Sequence, residues 1–297
     1  MMNKINSDTG VIIKEKKGLY SVSCSGKEVL CKAGSHIRKE GVRLVAGDRV
    51  ELEINSDGSG FIRSALPRKN CLSRPLVANI DTFVIVTATQ SPTPYLYNVD
   101  KLTVMAERAG AEIVIAVNKC DLKDEKELTA VYEKAFYKCF PVSASDGRGV
   151  DGVRAHLKGK TAVFAGASGV GKSSLLNALY PEMQVETGEL SKKIARGRNT
   201  TRHTEFYSVD ENTYIADTPG FTMLDEDRLG IDSHEELYMY FPEFEEYVGE
   251  CAFRGCTHLK EEGCAIIEAV KNGAVAKSRH ESFVKLYGEL KDRKRYG

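Results

Sequence analysis

A glycine-rich loop in the middle of the chain has the spacing of a phosphate-binding site. Residues 166–173 read GASGVGKS and fit the pattern GxxxxGK[ST]. The apolar run 161–165 before it predicts a buried strand, and residues 174–179 after it predict the start of a helix. In that context backbone N–H groups can wrap a phosphate chain, and the helix N-terminus adds partial positive charge. The loop therefore predicts a nucleotide site rather than a chance glycine-rich turn.

The residues of this loop have separate expected roles. Lys172 is expected to reach the β- and γ-phosphates, and the Ser173 hydroxyl is expected to help hold Mg²⁺. The other expected phosphate contacts come from the remaining loop residues and the one after them: Gly166, Ala167, Ser168, Gly169, Val170, Gly171 and Ser174.

Upstream of the loop, residues 118–121 read NKCD, which matches the NKxD motif that selects guanine in GTPases. The Asp121 carboxylate can accept hydrogen bonds from guanine N1–H and the exocyclic amine, a donor pair that adenine lacks. Asn118 is expected to bond the base edge and brace the phosphate loop, while the Lys119 stem lies along the ring. The motif follows an apolar run, residues 112–117, that predicts a second buried strand.

Residues 143–145, SAS, follow a further strand-like segment and match the second base-reading loop of GTPases. In this loop, which Ser143 begins, the backbone N–H of Ala144 is expected to meet guanine O6. Guanine is thus predicted by two separate motifs.

A fourth motif, DTPG at residues 217–220, follows the last predicted strand of this region. Asp217 is expected to bind Mg²⁺ through water, and the Gly220 N–H to bond the γ-phosphate. Thr201 is the expected switch threonine, with Thr200 as the alternative. Each motif alone also fits an ordinary surface loop, but four motifs with consistent roles predict a GTPase.

The motifs occur in an unusual order. In Ras-like GTPases the phosphate loop comes first, whereas here NKCD and SAS precede it. A circular permutation preserves the same site, because termini and surface loops can be re-joined where they lie close together. The segment after the second switch then leads directly into the C-terminal region, to which we expect the nucleotide state to be transmitted.

The position after Gly220 is Phe221, where Ras-like enzymes carry the glutamine that orients the attacking water. An apolar side chain cannot do so. Hydrolysis is therefore expected to be slow in isolation and to rely on a partner, or on another residue such as Asn199 or His203.

Near the C-terminus, three cysteines and a histidine follow the spacing C-x₄-C-x-H-x₅-C: Cys251, Cys256, His258 and Cys264. This set suits one tetrahedral, structural Zn²⁺. Incidental cysteines or a redox group are the alternatives. An apolar stripe at Phe283, Leu286, Tyr287 and Leu290, with a second helix predicted around Leu237, indicates a small helical domain.

The N-terminal part predicts a small barrel. Residues 11–66 contain short strand-like runs, one of them at 42–45, separated by turns at the spacing typical of barrels and sandwiches. Residues 1–80 also carry 14 Lys and Arg against 8 Asp and Glu. An OB-type barrel that binds nucleic acid on one face is the expectation, and an SH3-like barrel that only packs on its neighbour is the alternative.

Composition places the chain among globular proteins, with 297 residues, 42% apolar and 28% charged. No apolar run approaches the ~18 residues of a membrane span, and no signal-peptide core precedes the first strand, so we expect a cytoplasmic monomer. The predicted domains are an OB-type RNA-binding barrel (residues 1–68), a circularly permuted α/β GTPase domain (69–228) and a helical zinc domain (229–297).

Taken together, these motifs resemble the family of ribosome small-subunit-dependent GTPase A, along essentially the whole chain. The resemblance implies GTP hydrolysis to GDP and phosphate, stimulated by the 30S subunit, a role in late 30S maturation, and contacts of the flanking domains with 16S rRNA. The family often carries a histidine, implicated in hydrolysis, before the switch threonines, and here that position is Asn199. The resemblance then implies that His203 or the rRNA supplies more of the catalysis.

Two other classes remain open at this point. A phosphate-loop ATPase or kinase would keep the glycine loop without selecting guanine, and an RNA-binding scaffold with a vestigial site would bind GTP without 30S-stimulated turnover.

Overall fold

The structure is a computed structural model that describes residues 8–39, 41–73, 76–185, 205–217, 229–231 and 233–296. The chain divides into two compact units: the first comprises Met1–Phe83, Arg154–Phe164 and Tyr180–Gly220, and the second comprises Val84–Val153, Ala165–Leu179 and Phe221–Gly297. The three domains expected from the sequence, with boundaries at residues 68 and 228, stay a prediction. No helix in the described part of the chain combines the length and hydropathy of a bilayer crossing.

The N-terminal strands form the closed barrel that the sequence predicts. Strands β3 and β5 pair in parallel, and β1 closes the barrel by pairing antiparallel to β4, which gives the order β1-β2-β3-β5-β4 of an OB-type barrel. Apolar side chains at alternate positions, such as Ile12, Val50 and Ile62, are fully buried inside it. The strands are β1 (Asp8–Lys16), β2 (Leu19–Cys24), β3 (Lys27–Ala33), β4 (Arg49–Ile54) and β5 (Gly60–Ala65).

One predicted strand, at residues 42–45, is wrong. The segment between β3 and β4 forms a short helix, α1 (Ser35–Lys39), and then a loop. Leu44 and Val45 are buried, but the Val45 N–H donates to the Asp48 carboxylate, 2.8 Å away, instead of to a neighbouring strand. The apolar residues of this segment are thus buried against the barrel without pairing as a strand.

A six-stranded sheet follows, in the order β10-β9-β8-β11-β13-β12. Every residue of β8 and β11 is buried, as expected where helices cover both faces of a largely parallel sheet. Strand β10 runs parallel to β9 and β11 parallel to β13, whereas β12 runs antiparallel to β13. This confirms the predicted α/β architecture. Its strands are β8 (Thr82–Ala88), β9 (Glu112–Asn118), β10 (Lys138–Pro141), β11 (Thr161–Ala165), β12 (Glu205–Ser208) and β13 (Tyr214–Asp217), after a small pair, β6 (Cys71–Ser73) and β7 (Leu76–Ala78).

In the described part of the chain, four α-helices and a short 3-10 helix, Pro181–Met183, lie between these strands, and only helices follow β13. The stripe predicted at Phe283, Leu286, Tyr287 and Leu290 is buried, as expected. The helix predicted around Leu237 is a 3-10 helix, His234–Tyr240, which is followed at once by another, Pro242–Tyr247. The α-helices are α2 (Leu96–Arg108), α3 (Lys126–Glu133), α4 (Val150–Leu157), α5 (Lys172–Leu179), α6 (Ala265–Lys271) and α7 (Lys277–Tyr296).

A fully buried arginine in α7 joins three elements of the second unit. Arg279 donates to Glu243 Oε1 at 2.6 Å, to Asp100 Oδ1 at 2.9 Å and to Thr103 Oγ1 at 2.8 Å, and its side chain is 0% exposed. The two carboxylates outweigh the cost of burial and hold the pKa of Arg279 above its ordinary value. Removing one partner of such a group leaves an uncompensated charge inside the protein.

We therefore expect Arg279→Ala to lower the free energy of unfolding by about 3–5 kcal/mol, measured by urea denaturation and circular dichroism at 222 nm. Lys277→Ala is the matched control on the same helix, because Lys277 pairs with Glu281 on the surface with 81% of its side chain exposed. Equal unfolding midpoints for the two variants would contradict a stabilising role of the buried network.

Candidate nucleotide and metal sites

The phosphate loop connects the end of β11 at Ala165 to the start of α5 at Lys172. Gly166 and Gly171 have φ values of 144° and 93°, in the region that side chains disfavour. A Cβ at Gly166 would overlap the carbonyl oxygen of Val86, and a Cβ at Gly171 would overlap the Asn118 amide nitrogen. Both positions need glycine because the loop passes directly against neighbouring groups of the second unit.

The Lys172 ammonium lies across the loop. It donates to the carbonyl oxygens of Gly166 at 2.8 Å and Ala167 at 2.9 Å. Exposure differs along the rest of the predicted loop: Ser168, Gly169 and Ser174 are exposed, Ser173 is half-buried in the first turn of α5, and Val170 is buried. Polar groups of the loop thus face solvent while one apolar side chain anchors it.

Asn118 connects all three predicted nucleotide-binding loops. Its side chain is only 2% exposed, its Nδ2 donates to the Val170 carbonyl at 2.9 Å, and its Oδ1 accepts from the Ala144 N–H at 3.1 Å. One amide thereby fixes the NKCD loop against both the phosphate loop and the SAS loop. The Ala144 N–H, the expected donor to guanine O6, is in hydrogen-bond contact with Asn118 in this structure.

Lys119 lies along the phosphate loop, donating to the Gly169 carbonyl at 2.9 Å and to the Ser91 carbonyl. Asp121 is exposed and accepts a hydrogen bond at 3.2 Å from the hydroxyl of Ser145, which lies 2.9 Å from the buried Ser143 hydroxyl. Ser145 was missed as a site residue, although it is the last letter of the SAS motif. Its contact with Asp121, which is 24 residues away in the sequence, follows only from the structure.

These loops leave the carboxyl ends of β9, β10 and β11, where open α/β sheets bind their ligands. The Asp121 carboxylate and the Ala144 N–H can hold a guanine base, and the glycine loop with Lys172 can hold a phosphate chain. The structure brings together Asn118, Lys119, Asp121, Ser143, Ala144 and the loop 166–174.

The remaining predicted site residues lie at the end of β13 or outside the described residues. Asp217 is the last residue of β13, and its backbone pairs with that of Phe164 in β11. Phe164 lies two residues before the start of the phosphate loop at Gly166. The switch and catalytic candidates lie outside the described residues: Asn199, Thr200, Thr201, His203, Gly220 and Phe221.

Cys251, Cys256, His258 and Cys264 place one ligand atom each within 4.8 Å of one another. Cys251 Sγ lies 3.9 Å from Cys264 Sγ, and His258 Nδ1 lies 3.5 Å from each of these two sulfurs. Tetrahedral Zn²⁺ bonds of ~2.3 Å to sulfur and ~2.0 Å to nitrogen would separate the ligand atoms by about 3.5–3.8 Å. The residues present therefore fit a metal ion with four protein ligands.

Hydrogen bonds hold the loop that carries the histidine. The Glu261 carboxylate accepts from the backbone N–H groups of Thr257 at 3.0 Å and Leu259 at 2.9 Å. Burial raises the pKa of Glu261, but hydrogen bonds from the Thr257 hydroxyl and from backbone N–H groups, including those of Lys260 and Thr257, outweigh it and lower the pKa to about 2. His280 of α7 contacts the His258 carbonyl at 2.7 Å. The ligand atoms are thus oriented by supporting contacts, as is usual around protein metal sites.

Known proteins resemble the chain along its whole length. The sequence model of the RsgA GTPase family matches residues 65–227, and that of the RsgA N-terminal domain matches residues 9–62. The "Small ribosomal subunit biogenesis GTPase RsgA" of Alkaliphilus metalliredigens is 40% identical over 97% of this chain and 99% of its own length. The protein of that name from Thermotoga neapolitana is also 40% identical, over 95% and 96%.

Solved structures give the same result. YjeQ from Thermotoga maritima superposes with a TM-score of 0.80 at 36% identity, covering 96% of this chain and 98% of its own. YloQ, described as a circularly permuted GTPase, superposes with a TM-score of 0.81 at 31% identity, covering 99% and 98%. The permuted motif order, the guanine- and phosphate-binding loops and these full-length matches lead to one conclusion: the chain belongs to the RsgA GTPase family and is a GTP-hydrolysing enzyme.

Proposed function

We propose that this GTPase binds the 30S ribosomal subunit, acts late in its maturation, and hydrolyses GTP slowly alone and faster on the subunit. The observation that carries the proposal is the match, over nearly its whole length, to relatives named small ribosomal subunit biogenesis GTPases. The OB-type barrel and its basic sequence support contact with 16S rRNA through that domain. On this proposal the protein acts in the cytoplasm as a monomer.

For the nucleotide, we assign base selection to Asp121, which accepts from guanine N1–H and the 2-amino group. The Ser145 hydroxyl supports this role because it donates to the same carboxylate. Asn118 braces the loops, and Ala144 shares its N–H between Asn118 and guanine O6. The aliphatic part of Lys119 lies along the base.

The phosphate chain is assigned to the loop from Gly166 to Ser174. Lys172 would exchange its loop carbonyl partners for the β- and γ-phosphate oxygens. Bound Mg²⁺ neutralises phosphate charge, and the Ser173 hydroxyl and, through water, Asp217 are the proposed groups that hold it. Thr201 and Gly220 remain the proposed γ-phosphate contacts. Because Phe221 follows Gly220, water positioning falls to Asn199, His203 or the subunit.

For the cysteine and histidine cluster, we propose one structural Zn²⁺. The three thiolates and one imidazole favour zinc over hard cations, which prefer oxygen ligands. With four protein ligands, no open position is left for catalysis.

GTP turnover with purified 30S subunits tests the proposed function. We expect phosphate release to rise at least about tenfold over the isolated protein, because the subunit completes the catalytic site. The 50S subunit at equal concentration is the control and should leave the rate unchanged. Equal rates with and without 30S subunits would refute the proposal.

Asp121→Asn tests base selection. We expect GDP affinity to fall about 10- to 100-fold, because hydrogen bonds to a charged group contribute about 1.5–3 kcal/mol, while xanthosine diphosphate binds more tightly than to wild type. Competition with a fluorescent nucleotide measures both. Asp124→Asn, which removes an exposed carboxylate three residues away with 62% of its side chain accessible, should change neither affinity. Unchanged guanine preference in Asp121→Asn would exclude the assigned role.

Cys256→Ser tests the metal proposal. The purified wild-type chain should contain one zinc per molecule by mass spectrometry, and the variant should lose it together with helical signal from the C-terminal region. GDP binding should persist, because the cluster shares no residue with the nucleotide loops. Cys71→Ser, which changes an exposed free cysteine, is the control. A variant that keeps its zinc and its circular dichroism spectrum would show that Cys256 is not a ligand.

A further inference from the structure

An open groove runs beside the cysteine and histidine cluster. Its volume is about 820 Å³, and we call it the cluster groove. One wall is the loop from Cys251 to His258, which carries three of the four cluster residues. The remaining lining comes from the 3-10 helix His234–Tyr240, the segment after the second 3-10 helix, and α7: Glu235, Tyr238, Val248, Gly249, Phe283 and Tyr287.

The apolar lining of the cluster groove is partly open to solvent. Phe253, in the middle of the Cys251–His258 loop, is 61% exposed, and Val248, another lining residue, is 37% exposed. Exposing such side chains to water is unfavourable, and burying one against a partner contributes about 1.5–3 kcal/mol to the free energy of binding. An exposed aromatic side chain next to a groove with aromatic walls is typical of an anchor for a partner's apolar side chain.

The chain segment that supplies most of the groove lining is rich in acidic residues. Residues 233–262 contain eight glutamates but only two basic residues, Arg254 and Lys260. Glu235 lines the groove and is exposed, and Glu250, also exposed, lies between the lining residues Gly249 and Cys251. Among the described residues, Glu243 is the one of the eight that forms an ion pair, with the buried Arg279. Exposed glutamates such as Glu235 and Glu250 repel a phosphate backbone and attract a cationic segment.

We propose that the cluster groove docks a Lys/Arg-rich polypeptide segment of a partner protein, which places an apolar side chain against Phe253 and Val248. Its basic side chains lie against Glu235 and Glu250. This protein contact adds to the rRNA contact proposed for the barrel and does not depend on it. Arg254 and the exposed ring of Phe253, on which bases can stack, would also suit RNA. Removing glutamate charge weakens binding of a cationic peptide but strengthens binding of RNA, so charge variants separate the two partners.

Fluorescence anisotropy on the full-length, zinc-loaded chain tests this. The probe is a labelled peptide, KRKLFKRKR, with KRKSSKRKR and a labelled ten-nucleotide oligouridine as comparisons. We expect saturable binding of the first peptide, weaker binding of the second, and an affinity for the first that falls at least about fivefold in Phe253→Ala, since one apolar contact is lost. The Glu235→Gln/Glu250→Gln double variant should bind it about two- to tenfold more weakly.

Met239→Ala is the matched control, because Met239 in the same 3-10 helix as Tyr238 is equally exposed at 61% but does not line the groove. Val248→Ser repeats the test outside the cluster loop, in case Phe253→Ala alters metal content. The proposal would be overturned by the absence of saturable peptide binding, or by a peptide affinity that is unchanged in both Phe253→Ala and Val248→Ser. It would also be overturned if oligouridine bound more tightly than the peptide, with an affinity that rises in the glutamate double variant and falls in Arg254→Gln.

Discussion

The Asn118 side chain is the contact on which the arrangement of the nucleotide-binding loops depends. Its amide donates to the phosphate loop at Val170 and accepts from the SAS loop at Ala144, and it is almost completely buried. Because a buried amide left without partners costs about 1–3 kcal/mol, both bonds are strongly favoured. Gly171 must be glycine because this same amide occupies the space of a side chain. The circular permutation changes which loops are connected along the chain but leaves this contact available.

A second buried polar group organises the remainder of the second unit. Arg279 of α7 contacts Asp100 and Thr103 of α2 and Glu243 of a 3-10 helix, so the C-terminal helices are fixed to a helix of the α/β sheet. The cysteine and histidine cluster joins the same region through His280, whose ring contacts the His258 carbonyl. Residues 233–262 of the C-terminal region are rich in glutamate, while the barrel sequence is basic. The neutral net charge of the chain thus conceals a basic N-terminal and an acidic C-terminal segment.

The sequence was most informative where a function requires particular residues at a fixed spacing. The glycine loop, NKCD, SAS and the cysteine and histidine spacing predicted the site because each is local in sequence. Arg279 could not be found in this way, since Glu243 and Asp100 lie 36 and 179 residues away. Residues 42–45 were misassigned because burial against a barrel leaves the same apolar pattern as strand pairing. Ser145 was overlooked because its role follows from its distance to Asp121, which no pattern supplies.

Hydrogen exchange of the nucleotide-free protein, at labelling times of a second or less, tests most directly whether Asn118 holds the loops together. In Asn118→Ala we expect amides of residues 143–146 and 166–171 to exchange faster than in wild type, because both loops lose the same partner. Amides of β8, which Asn118 does not anchor, should be unchanged. Faster exchange in both loops, with β8 as before, is the predicted result. Identical exchange of both loops in the two proteins would contradict the account.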